Sequence, residues 1–284
     1  MREPGGTLYV VPTPLGNLED VTFRAVRVLR EAALILAEDT RTTRRLLSHH
    51  GIEARLLSYT EHNHRARLPQ ILRVLEQNDV ALVSEAGMPG INDPGQPLAA
   101  AVWDAGGRVV GLPGASAVPL AVAVSGFPWR AFSFLGFLPH AAGERRALLR
   151  AQGASGNLLV AFETPHRLRT ALEDIATLFG ERPIAVCREL TKLHEEIFRG
   201  TAAGALAHFA EPRGEITLVI AAPERAAHDE AADEPALHAF LAERLAAGSS
   251  ARDAVAAAMA RFGLARRAAY AAWEQAKHDA GPES

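Results

Sequence analysis

Cysteine is nearly absent: Cys187 stands alone in a chain of 284 residues. A single thiol excludes an intrachain disulfide and any cysteine-rich zinc or iron–sulfur site. It fits a reducing, cytoplasmic setting. Lysine is almost as scarce, since only Lys192 and Lys277 interrupt the arginines among 30 basic residues. The bias is that of a GC-rich genome. It singles out both lysines, because arginine keeps its charge and cannot serve as a neutral amine; survival of two lysines by chance is the equal alternative. The start, Met1-Arg-Glu-Pro-Gly-Gly, leads into no apolar run, so no secretory leader is expected. The longest uncharged stretch, Val109–Trp129, has 21 residues, enough to cross a bilayer. Pro113, Pro119 and Pro128, with Gly111, Gly114 and Gly126, divide it into strand, loop, helix and loop of a buried core.

Familiar chemical signatures are missing too. No G-x-x-x-x-G-K-[ST] occurs, and Gly106-Gly107-Arg-Val-Val-Gly111 precedes a strand instead of following one. Ser125 and Ser155 lie in no G-x-S-x-G elbow. The histidines of His49-His50 and His62-Asn63-His64 have no third ligand nearby, so no metal is expected. The formal net charge of −3 provides no global field for nucleic acid. Locally, acids crowd into Glu224–Glu234, and Pro235–His278 then carries six basic groups against three acidic.

What is present is core material, 48% hydrophobic against 22% charged residues, which excludes a disordered chain. Strands are predicted at Thr7–Val11, Leu34–Ala37, Arg55–Ser58, Val80–Ser84 and Arg108–Leu112. Helices are predicted between them at Val21–Ala33 (capped by Asp20), Thr40–His50, Arg67–Gln77, Gln96–Ala105 and Ala115–Val124. That alternation implies a parallel α/β sheet. From Ala131 on, strands at Phe132–Leu135, Asn157–Phe162, Ile184–Arg188, Glu196–Arg199 and Ile216–Ala221 come with fewer helices, at Glu144–Ala151, Arg167–Phe179 and Ala202–Phe209. A second, mixed sheet is expected there. Three Ala-rich helices, near Ala236–Ala246, Ala251–Arg261 and Ala265–Lys277, broken at Gly248 and Gly263, close the chain. They suggest a helix-turn-helix arrangement, or else a packing appendage or dimer contact. The expected domains are therefore residues 1–125 and 126–222, an acidic linker at 223–234 and a helical domain at 235–284.

Four loops fall at the carboxyl ends of predicted strands, the edge where open α/β sheets bind ligands. They are Pro12–Asn17, Glu38–Arg41, Ser84–Gly95 and Leu112–Ala117. Gly and Pro give them fixed shapes that let backbone approach a ligand. Their low positive charge suits backbone hydrogen bonds and apolar contact better than a polyphosphate; singly, each reads as an ordinary turn.

The motifs VPTPLGNLEDVTFRA, AEDTR, LVSEAGMPGINDPG and LPGASA, then GFLP at Gly136–Pro139, FETPHR at Phe162–Arg167, CRELTK at Cys187–Lys192 and RGE at Arg213–Glu215, resemble the small-subunit ribosomal RNA methyltransferase I family of the tetrapyrrole methylase superfamily. The resemblance spans residues 7 to 221. It implies two α/β domains with S-adenosylmethionine in the cleft between them, a helical appendage, a homodimer, and 2′-O-methylation of a cytidine ribose in the decoding region of 16S rRNA. By the same resemblance, Leu15, Gly16, Ser84, Glu85, Ala86, Gly87, Met88, Ile91, Ser116, Ala117, Phe162 and Leu190 hold the cofactor. The family pattern has Asp and Thr where this chain has Glu85 and Met88, a longer arm and a lost hydroxyl.

A ribose hydroxyl is a weak nucleophile, so an acceptor beside it helps. Asp39, at the end of the second strand, is the first candidate; capping the helix at Thr40 is its alternative role. Glu189 is a second proton acceptor, and Lys192 a group to hold ribose or phosphate, with a salt bridge as their alternative. Arg41, Arg44 and Arg45 beside the cleft, and Arg252, Arg261, Arg266 and Arg267 in the tail, are candidates for RNA phosphates, or else solvated helix faces. His62 and Asn63 match the family without an assigned role. Two rivals remain open: a C-methyltransferase for a porphyrin-like substrate, against which AEDTR and INDPG count, and a non-catalytic module binding S-adenosylmethionine or RNA.

Overall fold

The structure is a computed structural model that describes residues 5–93, 95–223, 227–262 and 266–279, with backbone only for 227–234. Pro94 of the long loop, part of the acidic linker and the break at Gly263 lie outside the described residues.

The first sheet is wholly parallel. Its strands are β1 (Thr7–Val10), β2 (Leu34–Ala37), β3 (Leu56–Ser58), β4 (Val80–Val83) and β5 (Arg108–Gly111), in the spatial order β3-β2-β4-β1-β5. Buried on both faces, β2 and β4 read Leu-Ile-Leu-Ala and Val-Ala-Leu-Val, the continuous apolar runs that covered parallel strands need. Helices α1 (Phe23–Glu31), α2 (Thr40–His49), α3 (His64–Leu75) and α4 (Gly95–Asp104) cross between them. Val28, Leu29, Leu46 and Leu47 fill one face of the sheet, and Ile71, Leu75, Leu98 and Val102 the other. The predicted first helix is shorter than expected. Leu18–Asp20 forms a 3-10 turn, and Thr22, not Asp20, caps α1 by accepting the Ala25 amide at 3.0 Å.

The second sheet is mixed, as expected. Its strands β6 (Phe132–Phe137), β7 (Leu158–Glu163), β8 (Ile184–Arg188), β9 (Glu196–Gly200) and β10 (Ile216–Ile220) lie in the order β6-β7-β10-β8-β9, with only β6 and β7 parallel. Helices α6 (Ala142–Gly153), α7 (Pro165–Phe179) and α8 (Ala202–His208) accompany it. The helix α5 (Ala117–Ser125), read as the end of the first domain, packs instead on the second sheet. Its sequence AVPLAVAVS is apolar all round; Val118, Ala121 and Val122 are buried, while Pro119, Ala123 and Val124 stay exposed. Val118, Ala121 and Val122 join Leu15 from the first half and Leu158, Val160, Ala185, Cys187, Leu190 and Val219 from the second in one apolar cluster. Residues up to Pro223 accordingly form one compact unit.

A second unit begins at Glu224. Helices α9 (Ala227–Ala246), α10 (Ala251–Phe262) and α11 (Arg266–Asp279) pack on one another through Leu241, Ala254, Ala258 and Trp273. The acidic stretch read as linker is helical from Ala227, so helix propensity of its alanines and acids prevails over its polarity. Among the described residues no helix is long and apolar enough to cross a membrane, and no group of three or more His, Cys, Asp or Glu side chains is placed to hold a metal.

Candidate active site

All five strands of the first sheet end at one edge, and the loops leaving them are stitched together by backbone. Thr13 and Gly87 exchange both amide hydrogen bonds at 2.9 Å in an isolated antiparallel bridge. The Ser84 hydroxyl donates to the same Gly87 carbonyl at 2.9 Å, and the Thr13 hydroxyl to the Ser84 carbonyl at 3.3 Å. Gly87 has φ +82°, and a Cβ there would stand 3.1 Å from Leu15 Cδ2 and 3.8 Å from the Ala115 carbonyl oxygen. Three loops thus meet around an absent side chain. Further along, the Asp93 carboxylate accepts the amides of Gly90 (2.5 Å) and Gly95 (3.0 Å), closing the loop on itself.

The facing edge of the second sheet is built from side-chain charges. After β8 the chain turns through Glu189 and Thr191, both with positive φ (53° and 68°), a strained conformation for residues with side chains. Lys192 Nζ donates to Glu189 Oε1 at 2.9 Å and pairs with Glu215 Oε1 at 3.1 Å. The Glu215 amide donates to the same Glu189 oxygen at 2.8 Å. Gly214 makes this possible, since a Cβ there would lie 2.4 Å from the Glu189 carboxyl carbon. Burial alone lowers the Lys192 pKa, but the two carboxylates outweigh it and hold the ammonium above its ordinary value. Burial raises the Glu189 pKa, and the Glu215 amide and Lys192 overcome that to hold it below. Lysine and glutamate are therefore a charged pair at neutral pH.

The two edges touch at Gly16. A Cβ on Gly16 would fall 2.2 Å from Lys192 Cγ, so the lysine stem lies across the first loop. Beneath it opens a cleft of about 400 Å³, lined by residues 13–16, Thr42, Thr43, Arg45, Leu46, residues 84–86, Lys192 and Glu215.

Of the sequence candidates, Leu15, Gly16, Ser84, Glu85, Ala86, Arg45 and Lys192 line this cleft, with Glu189 behind the lysine. Gly87, Met88 and Ile91 follow on the same loop. Ser116 precedes α5 and its hydroxyl does not cap the helix; Ala117 is the first helical residue. Phe162, the last residue but one of β7, stands beside Phe134, and Leu190 is buried in the apolar cluster with Leu15. Arg44 is exposed on α2. Arg252, Arg261, Arg266 and Arg267 are exposed on α10 and α11 of the other unit. Asn63 acquires a local role: its side chain accepts the Thr60 amide at 2.9 Å.

Asp39 is a helix cap. Its Oδ1 accepts the Arg41 amide at 2.7 Å, and Arg41 Nη2 approaches Oδ2 at 3.3 Å. These bonds, the backbone one first, hold its pKa below the ordinary value and make it a weak proton acceptor. The neighbouring Glu38 behaves oppositely. Burial first, then Asp93, Glu85 and Glu61, raise its pKa. Sequence reasoning passed over Glu38 because its three acidic neighbours come from different loops. It likewise passed over the side chains of Glu215, Thr42 and Thr43. The signal for Glu215 was the RGE motif itself, whose partner lies 26 residues away.

The family described as Tetrapyrrole (Corrin/Porphyrin) Methylases matches residues 7–206. The ribosomal RNA small subunit methyltransferase I of Thermotoga maritima is 48% identical over 222 residues, 77% of this chain and 100% of that protein. The protein of the same name from Micromonospora olivasterospora is 45% identical over 244 residues, 84% of this chain and 77% of that one. Among solved structures, a cobalt precorrin-4 methyltransferase of cobalamin biosynthesis superposes with a TM-score of 0.57 at 15% identity, covering 76% of this chain and 94% of that one. A uroporphyrin-III C-methyltransferase from Thermus thermophilus does so with 0.54 at 21%, covering 76% and 94%. Both share the two-sheet fold. With strand-end loops, glycine seats and sequence relatives in agreement, the chain belongs to the tetrapyrrole methylase family, within the group of ribosomal RNA small subunit methyltransferase I proteins.

Proposed function

We propose that this chain transfers a methyl group from S-adenosylmethionine to the ribose 2′-hydroxyl of a cytidine in the decoding region of 16S rRNA. The observation that carries the reading is the cleft where Lys192, held by two carboxylates, lies across the glycine of the first loop. The names of the relatives at 45–48% identity support the ribosomal substrate. The reading includes a homodimer acting in the cytoplasm on the small ribosomal subunit or its RNA.

The residues present fit the cofactor. Gly87 lets the loop close against Leu15 and Ala115, where a side chain would not fit, and the buried Thr191 hydroxyl, next in sequence to Lys192, has no hydrogen-bond partner within the protein and is free to meet a polar ligand group. Leu15, Gly16, Ala86, Gly87, Met88 and Ile91 would hold it from the first sheet, with Ser116 and Ala117; Phe162 and Leu190 would cover it from the second. Ser84 keeps its hydroxyl on Gly87 and shapes the loop. Glu85 and Met88 replace the family's Asp and Thr, so the backbone carries the contact there. The cofactor supplies a methyl on a sulfonium, open to in-line displacement.

The protein then supplies alignment and charge. Positioning of nucleophile and methyl in a row accounts for several kcal/mol of barrier reduction, about 7–11 at the upper limit. Lys192 and Arg45 bring positive charge to the ribose-phosphate. Lys192 keeps its proton, so it orients and does not act as base. Among the carboxylates at the end of β2, the Asp39 side chain is taken up in capping α2, which leaves the exposed, uncommitted Glu38 as the acceptor we propose for the hydroxyl proton.

The test offers undermethylated 30S subunits and a tetrapyrrole precursor separately, each with methyl-labelled S-adenosylmethionine. Label in RNA is the expected result. Label in the tetrapyrrole overturns the substrate, and label in neither points to a binding module.

A further inference from the structure

The strands β6 and β7 break register around one side chain. Phe134 stands opposite Val160 and Phe137 opposite Phe162, so β6 carries one extra residue. Gly136, with φ +67°, lies within the irregularity. In an unbroken strand Phe134 and Phe137 would point to opposite faces. The bulge re-aims the second ring, and both now stand edge-on to Phe162, with centroids 4.9 and 5.6 Å away. Phe162 is half-buried, but Phe137 remains 46% exposed.

Behind Phe137, two arginines hold three consecutive carbonyls. Arg167 Nη2 donates to Leu138. Arg145 Nη1 donates to Pro139 and to His140, each at 3.2 Å. Arg167 Nη1 also donates to His140 Nε2 at 3.1 Å, which leaves the imidazole proton on Nδ1. Each arginine is itself fixed by a buried acid. Arg145 pairs with Asp174 at 2.6 Å, and Arg167 with Glu163 at 3.1 Å, the glutamate being 2% exposed. Across the loop, Asn92 Oδ1 of the first half comes within 3.1 Å of where a Gly136 Cβ would be. Burying two ion pairs carries a desolvation penalty, and here they immobilise a short loop that presents one exposed ring.

We propose, resting on the RNA reading above, that Phe137 is the stacking face for a nucleobase of the RNA substrate, with Arg145 and Arg167 as positioning residues acting through the Leu138–His140 loop. An immobile aromatic side chain with an open face suits a splayed base. Nearby charge suits its phosphates: Arg146 is 42% exposed, with Asp174 at 3.3 Å. The cofactor has a different need, enclosure, which Phe162 and Leu190 provide on the inner side.

The test compares wild type with Phe137→Ala, Phe137→Trp and Arg167→Lys. Methyl transfer is measured on undermethylated 30S subunits, S-adenosylmethionine affinity by calorimetry, and assembly by sedimentation. Loss of a base stack raises the KM for 30S subunits roughly tenfold or more in Phe137→Ala, with kcat and cofactor affinity within about twofold of wild type. Phe137→Trp restores KM, and its new fluorescence is quenched on binding the RNA. Arg167→Lys shows the same KM-only change, weaker. Weakened cofactor affinity in Phe137→Ala would assign the ring to S-adenosylmethionine, and a changed mass would assign it to a contact between copies; either overturns the proposal. So does an unchanged KM while wild type methylates RNA. Wild type that labels no RNA at all marks failure of the underlying reading and removes the proposal with it.

Discussion

The two sheet edges that face one another are made of different materials. The first is shaped by backbone: the Thr13–Gly87 bridge, the Asp93 knot and glycines at 16 and 87 fix the course of the loops that supply most of the cleft lining. The second is shaped by ion pairs: Lys192 with Glu189 and Glu215, Arg145 with Asp174, Arg167 with Glu163, Arg188 with Glu196. A backbone edge fixes shape and tolerates little added volume. A charged edge fixes orientation and responds to removal of a partner. Such a division fits a cofactor held by shape on one side and an anionic polymer oriented by charge on the other.

Removing one partner of a buried pair tests the second edge most severely. Asp174→Ala leaves Arg145, 3% exposed, without its acid, and should lower the unfolding free energy by about 3–5 kcal/mol, read by urea denaturation. An unchanged midpoint would mean that the pair does not hold this edge. Lys192→Ala should leave the fold intact and reduce kcat/KM by roughly 100-fold through lost orientation, read by label transfer. Near-normal turnover would remove Lys192 from the site.

On the first edge the expected effects are steric and smaller. Gly16→Ala places a methyl against the Lys192 stem; a drop of about tenfold in kcat/KM, the scale of a misplacement of well under an ångström, is expected with little change in melting temperature. The contrast between Glu38 and Asp39 sharpens the picture. The raised pKa of Glu38 means that the unfolded chain loses this proton first. Its contribution favours folding at pH below its ordinary carboxylate range and is lost as pH rises through the raised value. Glu38→Gln should therefore melt slightly higher at neutral pH while turning over more slowly, and Asp39→Asn, which keeps a cap, should stay within a few-fold of wild type. The reverse ranking would return the base to Asp39.

The smallest effect is on acid stability. Glu196 is held below its ordinary pKa by hydrogen bonds from His208 and Arg188. Its stabilisation is present above the unfolded carboxylate range and is lost as pH falls through the lowered value. Glu196→Gln should flatten that acid-side loss in a plot of melting temperature against pH.

The same division decided what could be read from sequence. The first sheet was legible because its strands are short apolar runs closed by proline, as at Pro12 and Pro113, or by acidic residues, as at Glu38 and Glu85, and its loops fall where the strands end. Ile184–Arg188, an apolar run between Pro183 and Glu189, emerged with the predicted bounds. What escaped depends on distance in the chain. No local pattern shows that Thr22 outcompetes Asp20 as a cap, that α5 leaves its own half to pack on the second sheet, or that Glu189 meets Glu215. Glycines 16 and 214 were visible as motif letters, but their purpose, making room for Lys192 and Glu189, appears only when the loops are brought together.

The most direct test of the central claim is the chemical position of the transferred methyl. Labelled RNA from the 30S reaction is digested with alkali, which cleaves by attack of each 2′-hydroxyl on its own phosphodiester. The account predicts that label survives in an alkali-resistant dinucleotide whose 5′ member is cytidine. Label released entirely as mononucleotide would place the methyl on a base and contradict it.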